Sequence, residues 1–357
     1  DIFNIRAIDG ATTVNAGNGT DTVNVGSNAL GVVGDAGNNG GGNVDSISAL
    51  LTVNGESPAT SNSDVLNIDD TGDTDSNTGN LTDSRITGLD MAGSITYGTI
   101  EVLNIGLGSA ADVFTIDSTH TAVTNLDSNG GGDVVNIRTI DGVTNVDSGT
   151  GSDTINVGSN ANGTLTSPQS NSNGSLDDID ALLTINGNSP ASGSDYLIVD
   201  DTGDNSQNTG TLTSTTITGL GLSASGITYT AIEHLVISLG DGGNTFTIDS
   251  THGAATNNYA EETILNNGGG ADTVNINDVT DTLIVNGEGG TDVINVNGTG
   301  SGSNSTLNGD DSNDIFNIRA IDGATTINAG NGADTINVGS NAQGVIGDSD
   351  NNSNGTL

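Results

Sequence analysis

Cysteine, lysine and tryptophan are all missing from this chain of 357 residues, and proline occurs three times and methionine once. Without cysteine, disulfides contribute nothing and the redox compartment cannot be read from thiol usage. The only fixed side-chain cations are four arginines, set against 45 acidic side chains for a formal net charge of −41. Nothing is therefore available to neutralise phosphates, which argues against nucleic acid as a partner and against binding to anionic membrane surfaces. Aromatic residues make up 2% of the chain, so a thick globular core cannot be built. With 55 glycines, such a composition taken alone resembles that of disordered chains. No apolar run reaches membrane-spanning length, and neither a signal sequence nor an initiating methionine opens the chain. Residue 1 falls inside a strand pattern and residue 357 inside a turn pattern, so the expectation is a window of a longer chain.

What the chain does have is a recurrent aspartate, spaced by about twenty residues: Asp1 and Asp21; Asp112, Asp133 and Asp153; Asp272, Asp292, Asp314 and Asp334. Each starts a short alternating segment with Val, Ile or Phe two positions on, such as Phe3, Phe114 and Ile336, and another Ile or Val four positions on. One face of every such strand is then apolar. Asparagine usually stands three positions on, at Asn4, Asn24, Asn136, Asn156, Asn275, Asn295, Asn317 and Asn337. Those amides are expected to form an outward ladder on the opposite face, structural in role and able to meet a neighbouring fibre or a glycan.

Two longer periods overlie this one. ALLTVNG at 49–55 recurs as ALLTING at 181–187, and DDTGD at 69–73 as DDTGD at 200–204; the opening DIFNIRAIDGATT recurs from Asp314 onward. One turn and one alternating strand, then a second turn and strand, is the pattern of a solenoid whose coils stack. The predicted fold is all-β: a right-handed parallel β-solenoid, a β-roll or β-helix, with coils of about 20 residues and long loop excursions. Regular coils are expected over 1–28, 112–160 and 246–357, and wider coils with polar loops over 29–111 and 161–245, in one continuous solenoid. Helix signals are nearly absent, because glycine and β-branched residues dominate.

Glycine-rich turns precede several of the aspartates: GNGTD ending at Asp21, GTGSD at Asp153, GGGAD at Asp272 and GNGAD at Asp334. These turns resemble the GGxGxDxUx nonapeptide of the RTX (repeats-in-toxin) calcium-binding β-rolls, and the larger blocks resemble β-strand repeats of giant bacterial surface and extracellular proteins. The resemblance implies Ca²⁺ held by turn carbonyls and the aspartate carboxylate. The matching glycines are Gly17 and Gly19, Gly149 and Gly151, Gly268 and Gly270, and Gly330 and Gly332. Hard oxygen ligands suit Ca²⁺, and glycine permits the positive φ that gathers carbonyls. Asp112, Asp133, Asp292 and Asp314 share the column with less regular turns: GEGGTD and GDDSND carry an extra residue, GSAAD lacks the second glycine, and Asn244 stands where Asp112 stands in the earlier block. The opposite turn reads IDG, so calcium is expected along one edge only. The acidic stretch DDTGDTDSNTG from Asp69 lacks the closing glutamate of an EF-hand loop and reads as a solvated loop.

Arg6, Arg138 and Arg319 each lie three residues before Asp9, Asp141 and Asp322, where a pair across the turn is the plain expectation. His120 and His252 sit in a repeated DSTH, but adjacency along a strand does not make a catalytic triad, and no enzymatic activity is expected. The functional expectation is an extracellular, calcium-stiffened structural segment of a surface fibre, filament or adhesin stalk. Its partners would be copies of itself, end to end or side by side, and glycans, with no nucleic acid and no membrane insertion. Carbohydrate or ice binding is the alternative, and a polysaccharide lyase or epimerase is ranked below both.

Overall fold

A computed structural model describes residues 1–56, 63–188, 194–253, 260–349 and 356. Among these residues every regular element is a β-strand of four or five residues, and there is no α-helix. The chain divides into two compact units: residues 1–156, 162–170 and 178–195 form the first, and 157–161, 171–177 and 196–357 the second.

In the first unit, one sheet runs Ile2–Ile5, Thr22–Val25, Val65–Asp69, Val102–Gly106, Val123–Asp127, Thr144–Asp147 and Leu183–Asn186, in hydrogen-bonded order. All the pairings described within it are parallel and in matched register: Phe3 lies opposite Val23, Val23 opposite Leu66, and Leu66 opposite Leu103. Stacked like residues are what a period of one coil produces, because each coil lays its alternation on the last. The apolar member faces inward, and Leu66, Leu103, Leu51 and Leu81 are fully buried. Each such side chain contributes roughly 1.5–3 kcal/mol of burial. A core one side chain thick is enough because it continues from coil to coil.

The unit's other sheet contains a departure from a purely parallel stack. Between the parallel strands Leu50–Asn54 and Val113–Ile116 lies the order Ser94–Gly98, Arg85–Gly88, Thr78–Thr82, whose two internal pairings are antiparallel. The second unit repeats the device with Thr209–Leu212, Thr216–Gly219 and Ile227–Thr230. The stretches at 78–98 and 209–230 are thus meanders, while those between Val25 and Leu50 and between Val157 and Leu183 are excursions without a named strand. Glycine at each meander's first strand is sterically required: a Cβ on Gly79 would lie 2.6 Å from Phe114 Cε2, and one on Gly210 would lie 2.6 Å from Phe246 Cδ2. Those rings are among the largest buried side chains.

The second unit continues in parallel through Thr245–Ile248, Thr273–Ile276, Val293–Val296, Ile315–Ile318 and Thr335–Val338. Its other sheet comprises Tyr196–Asp200, His234–Ser238, Glu262–Asn266, Thr282–Asn286, Asn304–Asn308 and Ala324–Asn328.

The asparagine ladder forms, with one correction to its orientation. Asn24 Nδ2 donates to Asn4 Oδ1, Asn156 to Asn136, Asn317 to Asn295 and Asn337 to Asn317, at 2.9–3.1 Å. Most of these amides are nevertheless buried, because excursions fold across them. Asn24 also donates to the Ala36 carbonyl, Asn136 to that of Gly163 and Asn317 to that of Gly344. A polar strand face attracts a loop rich in unpaired carbonyls, so this stretch of ladder is not open to a fibre or a glycan. In the first unit a different run, Asn67, Asn104, Asn125 and Asn145, keeps the ladder half-exposed, with bonds of 2.7–2.8 Å.

Candidate cation-binding turns

Each ladder aspartate is the residue just before a strand. The parallel ladder begins one residue later, as Thr154 N–H donating to the Asp133 carbonyl illustrates, so the aspartate's own N–H needs another acceptor. It finds the carboxylate of the next coil. Asn77 N–H donates to Asp112 Oδ1, Asp112 to Asp133, Asp133 to Asp153 and Asp153 to Asp195, at 2.7–2.8 Å. In the second unit Asp272 N–H donates to Asp292, Asp292 to Asp314 and Asp314 to Asp334, at 2.8–3.0 Å. The extra residue before Asp292 and Asp314 leaves the bonding intact. Such charge-assisted bonds to backbone N–H are the stronger kind, and they join coils without any ion.

The aspartates do not form one column. In the first unit Asp21 N–H donates to Asp64 Oδ1 and Asp64 N–H to Glu101 Oε2, at 2.9 and 2.7 Å, and these residues lead strands of one sheet. The run through Asp112, Asp133 and Asp153 leads strands of the other. Aspartates therefore lead strands of both sheets in this unit, which corrects the picture of a single edge. A period counted in residues does not say which sheet a strand enters. Asp64 and Asp195 fall outside the twenty-residue spacing because long polar stretches precede them, although SDVLNID and SDYLIVD carry the same aspartate-then-alternation signal.

The second oxygen of these carboxylates sets the chemistry. Oδ2 of Asp21, Asp64, Asp112, Asp133, Asp153, Asp272, Asp292 and Asp314 is buried with no hydrogen-bond partner. Burial penalises the ionised form: it pushes Asp133 up to about 8, Asp292 to about 7, and Asp153, Asp272 and Asp314 to about 6, with neighbouring ladder carboxylates adding to the rise at Asp133, Asp292 and Asp314. Asp64 and Asp112 are raised for the same first reason.

The turn glycines make the close stacking possible. Gly268 and Gly330 have φ of 78° and 95°, and a Cβ on Gly268 would lie 2.6 Å from the Gly240 carbonyl of the preceding turn. Where the turn has the extra residue, its first glycine makes room for the carboxylate: a Cβ on Gly309 would lie 2.6 Å from Asp314 Oδ2, and one on Gly287 2.8 Å from Asp292 Oδ2. Several turn carbonyls are already committed along the stack, with Gly131 N–H donating to Thr150 O and Asp311 N–H to Glu288 O. The donor set for a cation at these turns is then one unpartnered carboxylate oxygen per coil, together with the second lone pair of such carbonyls. That set is hard and anionic, which fits Ca²⁺ in kind.

Asp45, Asp70 and Asp73 form a group that sequence reasoning missed: one carboxylate oxygen from each lies within 4.8 Å of the others, the only such cluster of three among the described residues. The stretch from Asp69 is solvated only in part: Asp69, Asp70, Asp73 and Asn77 are buried, while Gly72, Thr74, Asp75 and Ser76 are exposed. Gly42 N–H donates to Asp69 Oδ2, Gly41 N–H to Thr71 Oγ1 and Val44 N–H to Asp70 Oδ1, at 2.7–3.1 Å, stitching the 40–45 excursion to the acidic turn. Acidic sequence reads as surface; here the acids are turned inward to cap backbone donors of an excursion.

The arginines do not pair across the IDG turns. Arg6 Nε donates to the Ala29 carbonyl and Arg319 Nε to the Ala342 carbonyl, at 2.8 Å each, clasping the folded-over excursions, while Arg138 pairs with Asp117 at 2.6 Å. The DSTH residues act separately. His252 is buried with Nε2 2.9 Å from Glu261 and Nδ1 3.1 Å from the Thr263 hydroxyl, His120 Nδ1 lies 3.4 Å from the Thr124 hydroxyl, and the Ser118 and Ser250 hydroxyls accept backbone N–H groups.

Fold and turns together define the class: an acidic, all-β repeat protein of solenoid type, with long parallel sheets. Comparison with protein-family models, with curated proteins and with solved structures finds no match. The RTX resemblance accordingly rests on the turn motifs alone.

Proposed function

We propose that the chain is a structural, extracellular repeat segment of a surface fibre, filament or adhesin stalk, in which a right-handed β-roll with coils of about 20 residues is stiffened by calcium at its glycine–aspartate turns. The observation that carries this reading is the repeated buried carboxylate whose Oδ1 is tied to the neighbouring coil and whose Oδ2 has no partner. Ca²⁺ there would be held by Asp21, Asp112, Asp133 and Asp153 in the first unit and by Asp272, Asp292, Asp314 and Asp334 in the second, with carbonyls of the turns at Gly17 and Gly19, Gly149 and Gly151, Gly268 and Gly270, and Gly330 and Gly332. The ion would neutralise charge that otherwise has to be protonated or left buried and repelling. Assembly with further copies of the same repeat follows from the recurrence of the opening sequence at Asp314.

The test is thermal unfolding followed by far-ultraviolet circular dichroism, in chelator and then across micromolar to millimolar Ca²⁺. A midpoint that climbs with calcium, and climbs less with equal Mg²⁺, supports the reading; one that is the same in chelator and in millimolar calcium overturns it.

Glycan binding is a second reading, favoured by a groove of about 480 Å³ in the first unit, lined by Asn67, Asn104, Asn125, Asn145, Asp127 and Asp147. Each ladder amide there spends one N–H on its neighbour, leaving its second N–H to meet sugar hydroxyls. A glycan array on the intact chain separates this reading from a passive scaffold.

A further inference from the structure

The most developed unassigned site borders the turn that leads into Asp112: Ser109 N–H donates to the Asp73 carbonyl at 2.9 Å, and Asn77 bonds both Asp73 and Asp112. In the first unit, Asp70 is fully buried; its Oδ1 accepts the Val44 N–H at 3.1 Å, and its Oδ2 has no hydrogen-bond partner. Asp45 and Asp73 each bring a carboxylate oxygen within 4.8 Å of one from Asp70 and of each other. Ligand oxygens on a single Ca²⁺, each 2.3–2.6 Å from the ion, can be at most about 5 Å apart, so no pair of these oxygens is too distant to share one ion. Asp73 is held in place: its Oδ1 accepts the Asp75 N–H at 2.9 Å and its Oδ2 accepts Asn77 Nδ2 at 2.6 Å. Asn77 is itself buried, with its Oδ1 unpartnered. Asp45 is exposed, which gives the group an opening to solvent.

No arginine serves this group. Arg6 Nε donates to the Ala29 carbonyl, Arg85 Nη2 to the Ser94 hydroxyl, Arg319 to the Ala342 carbonyl and to Asn297 and Asn295, and Arg138 pairs with Asp117. Three carboxylates this close, two of them buried, can stay ionised together only with a positive charge from outside the chain. Oxygen-only donors exclude a soft metal, and an open rim that admits water favours an ion tolerant of irregular geometry.

We infer that Asp45, Asp70 and Asp73 form a binding site for one calcium-sized divalent cation, which clamps the 40–45 excursion to the turn at 69–73; its ligands are other than the ladder aspartates, although it borders the turn into Asp112. The site does not depend on the turns binding metal.

The experiment is equilibrium dialysis of the intact chain against radioactive calcium, with Asp70→Asn, Asp45→Asn and Asp292→Asn beside the wild type. Asp45→Asn is on the exposed rim, so it reports even if Asp70→Asn fails to fold. The expected result is one ion lost, or its affinity lowered about tenfold or more, in Asp70→Asn and Asp45→Asn, with that ion retained in Asp292→Asn. In parallel, Mn²⁺ should broaden the Val44 amide resonance of the wild type and not that of Asp45→Asn. Unchanged stoichiometry and affinity in Asp45→Asn, or an unbroadened Val44 resonance in the wild type, overturns the site. Loss of ions in Asp292→Asn alone would remove this site and leave the turn reading standing; loss in Asp45→Asn alone would do the reverse.

Discussion

The acidic turn occurs twice, once in each unit, and the two copies solve the same electrostatic problem differently. In the first, Asn77 Nδ2 donates to Asp73 alone and Asp70 Oδ2 is left bare. In the second, Asn208 Nδ2 reaches both Asp201 Oδ2 at 3.2 Å and Asp204 Oδ2 at 2.7 Å, so the corresponding oxygen is partnered. The ladder residue beside the turn differs too. Asp112 accepts the Asn77 N–H and keeps a bare Oδ2, whereas Asn244 accepts the Asn208 N–H through Oδ1 and donates Nδ2 to the Gly240 carbonyl at 3.0 Å. One copy holds charge that calls for a counter-ion, while the other replaces a carboxylate with an amide that satisfies itself. Duplicated acidic sequence therefore does not imply duplicated metal affinity.

Exchanging the ladder residues breaks the comparison most severely. Asn244→Asp removes the bond to Gly240 and buries an uncompensated carboxylate, at an expected cost of about 1–3 kcal/mol in urea unfolding at pH 8 in chelator. The reciprocal Asp112→Asn is expected to leave stability in chelator unchanged or higher. If both changes shift the urea midpoint equally and in the same direction, the contrast drawn from hydrogen bonding fails.

Acidity separates the regions next. The ladder carboxyls of Asp133, Asp153, Asp272, Asp292 and Asp314 hold their protons to between about 6 and 8 in the folded chain because burial disfavours the anion, whereas in the unfolded chain they release them near pH 4. Between those limits the folded state binds more protons, so stability is fully present below about pH 4 and is lost as pH rises through about 6 to 8. In chelator the melting temperature should fall from pH 5 to pH 8, by an amount corresponding to roughly 1 kcal/mol or more per ladder carboxyl. A melting temperature that rises over that interval would contradict the burial of these groups.

How much of this was legible in the sequence follows from what each signal encodes. Alternation after Asp21, Asp133 or Asp272 fixes a strand and its inward face, because pleating is local. The short strands and absence of helix are readable for that reason. The meanders were not, since Arg85–Gly88 differs from a coil strand only in the direction it enters the sheet. Nor was the inward turn of Asp69 and Asp70, because the donors they cap, Gly42 and Val44, lie more than twenty residues away in an excursion without periodicity. The turn glycines read as metal-site residues, yet at Gly268 and Gly330 the stacking distance alone excludes a side chain.

A smaller effect is expected at Asn208, the amide that bridges the second acidic turn. Asn208→Ser would free Asp201 Oδ2, whose carboxyl burial pushes up to about 7. The turn should then resemble the first in needing a counter-ion, with a melting temperature lower in chelator and more strongly restored by millimolar calcium than in the wild type. Equal calcium response before and after the substitution would show that the asparagine bridge does not distinguish the copies.

The weakest contrast is at the surface, where Arg138 pairs with Asp117 in the first unit and Asn277 Nδ2 donates to Asp249 in the second at 2.7 Å. The ionic pair is about one-third exposed on both sides, so solvent screens it and its expected worth is only about 0–1 kcal/mol. Asp117→Asn should therefore lower the urea midpoint slightly at low salt and not at all near 1 M salt, where the screening length falls to about 3 Å. Asp249→Asn, which touches no arginine in the described contacts, should show no such salt dependence. If Asp117→Asn costs the same at both salt concentrations, the loss belongs to the bond that Asn80 Nδ2 donates to Asp117 Oδ2 at 2.6 Å and not to the charge of Arg138.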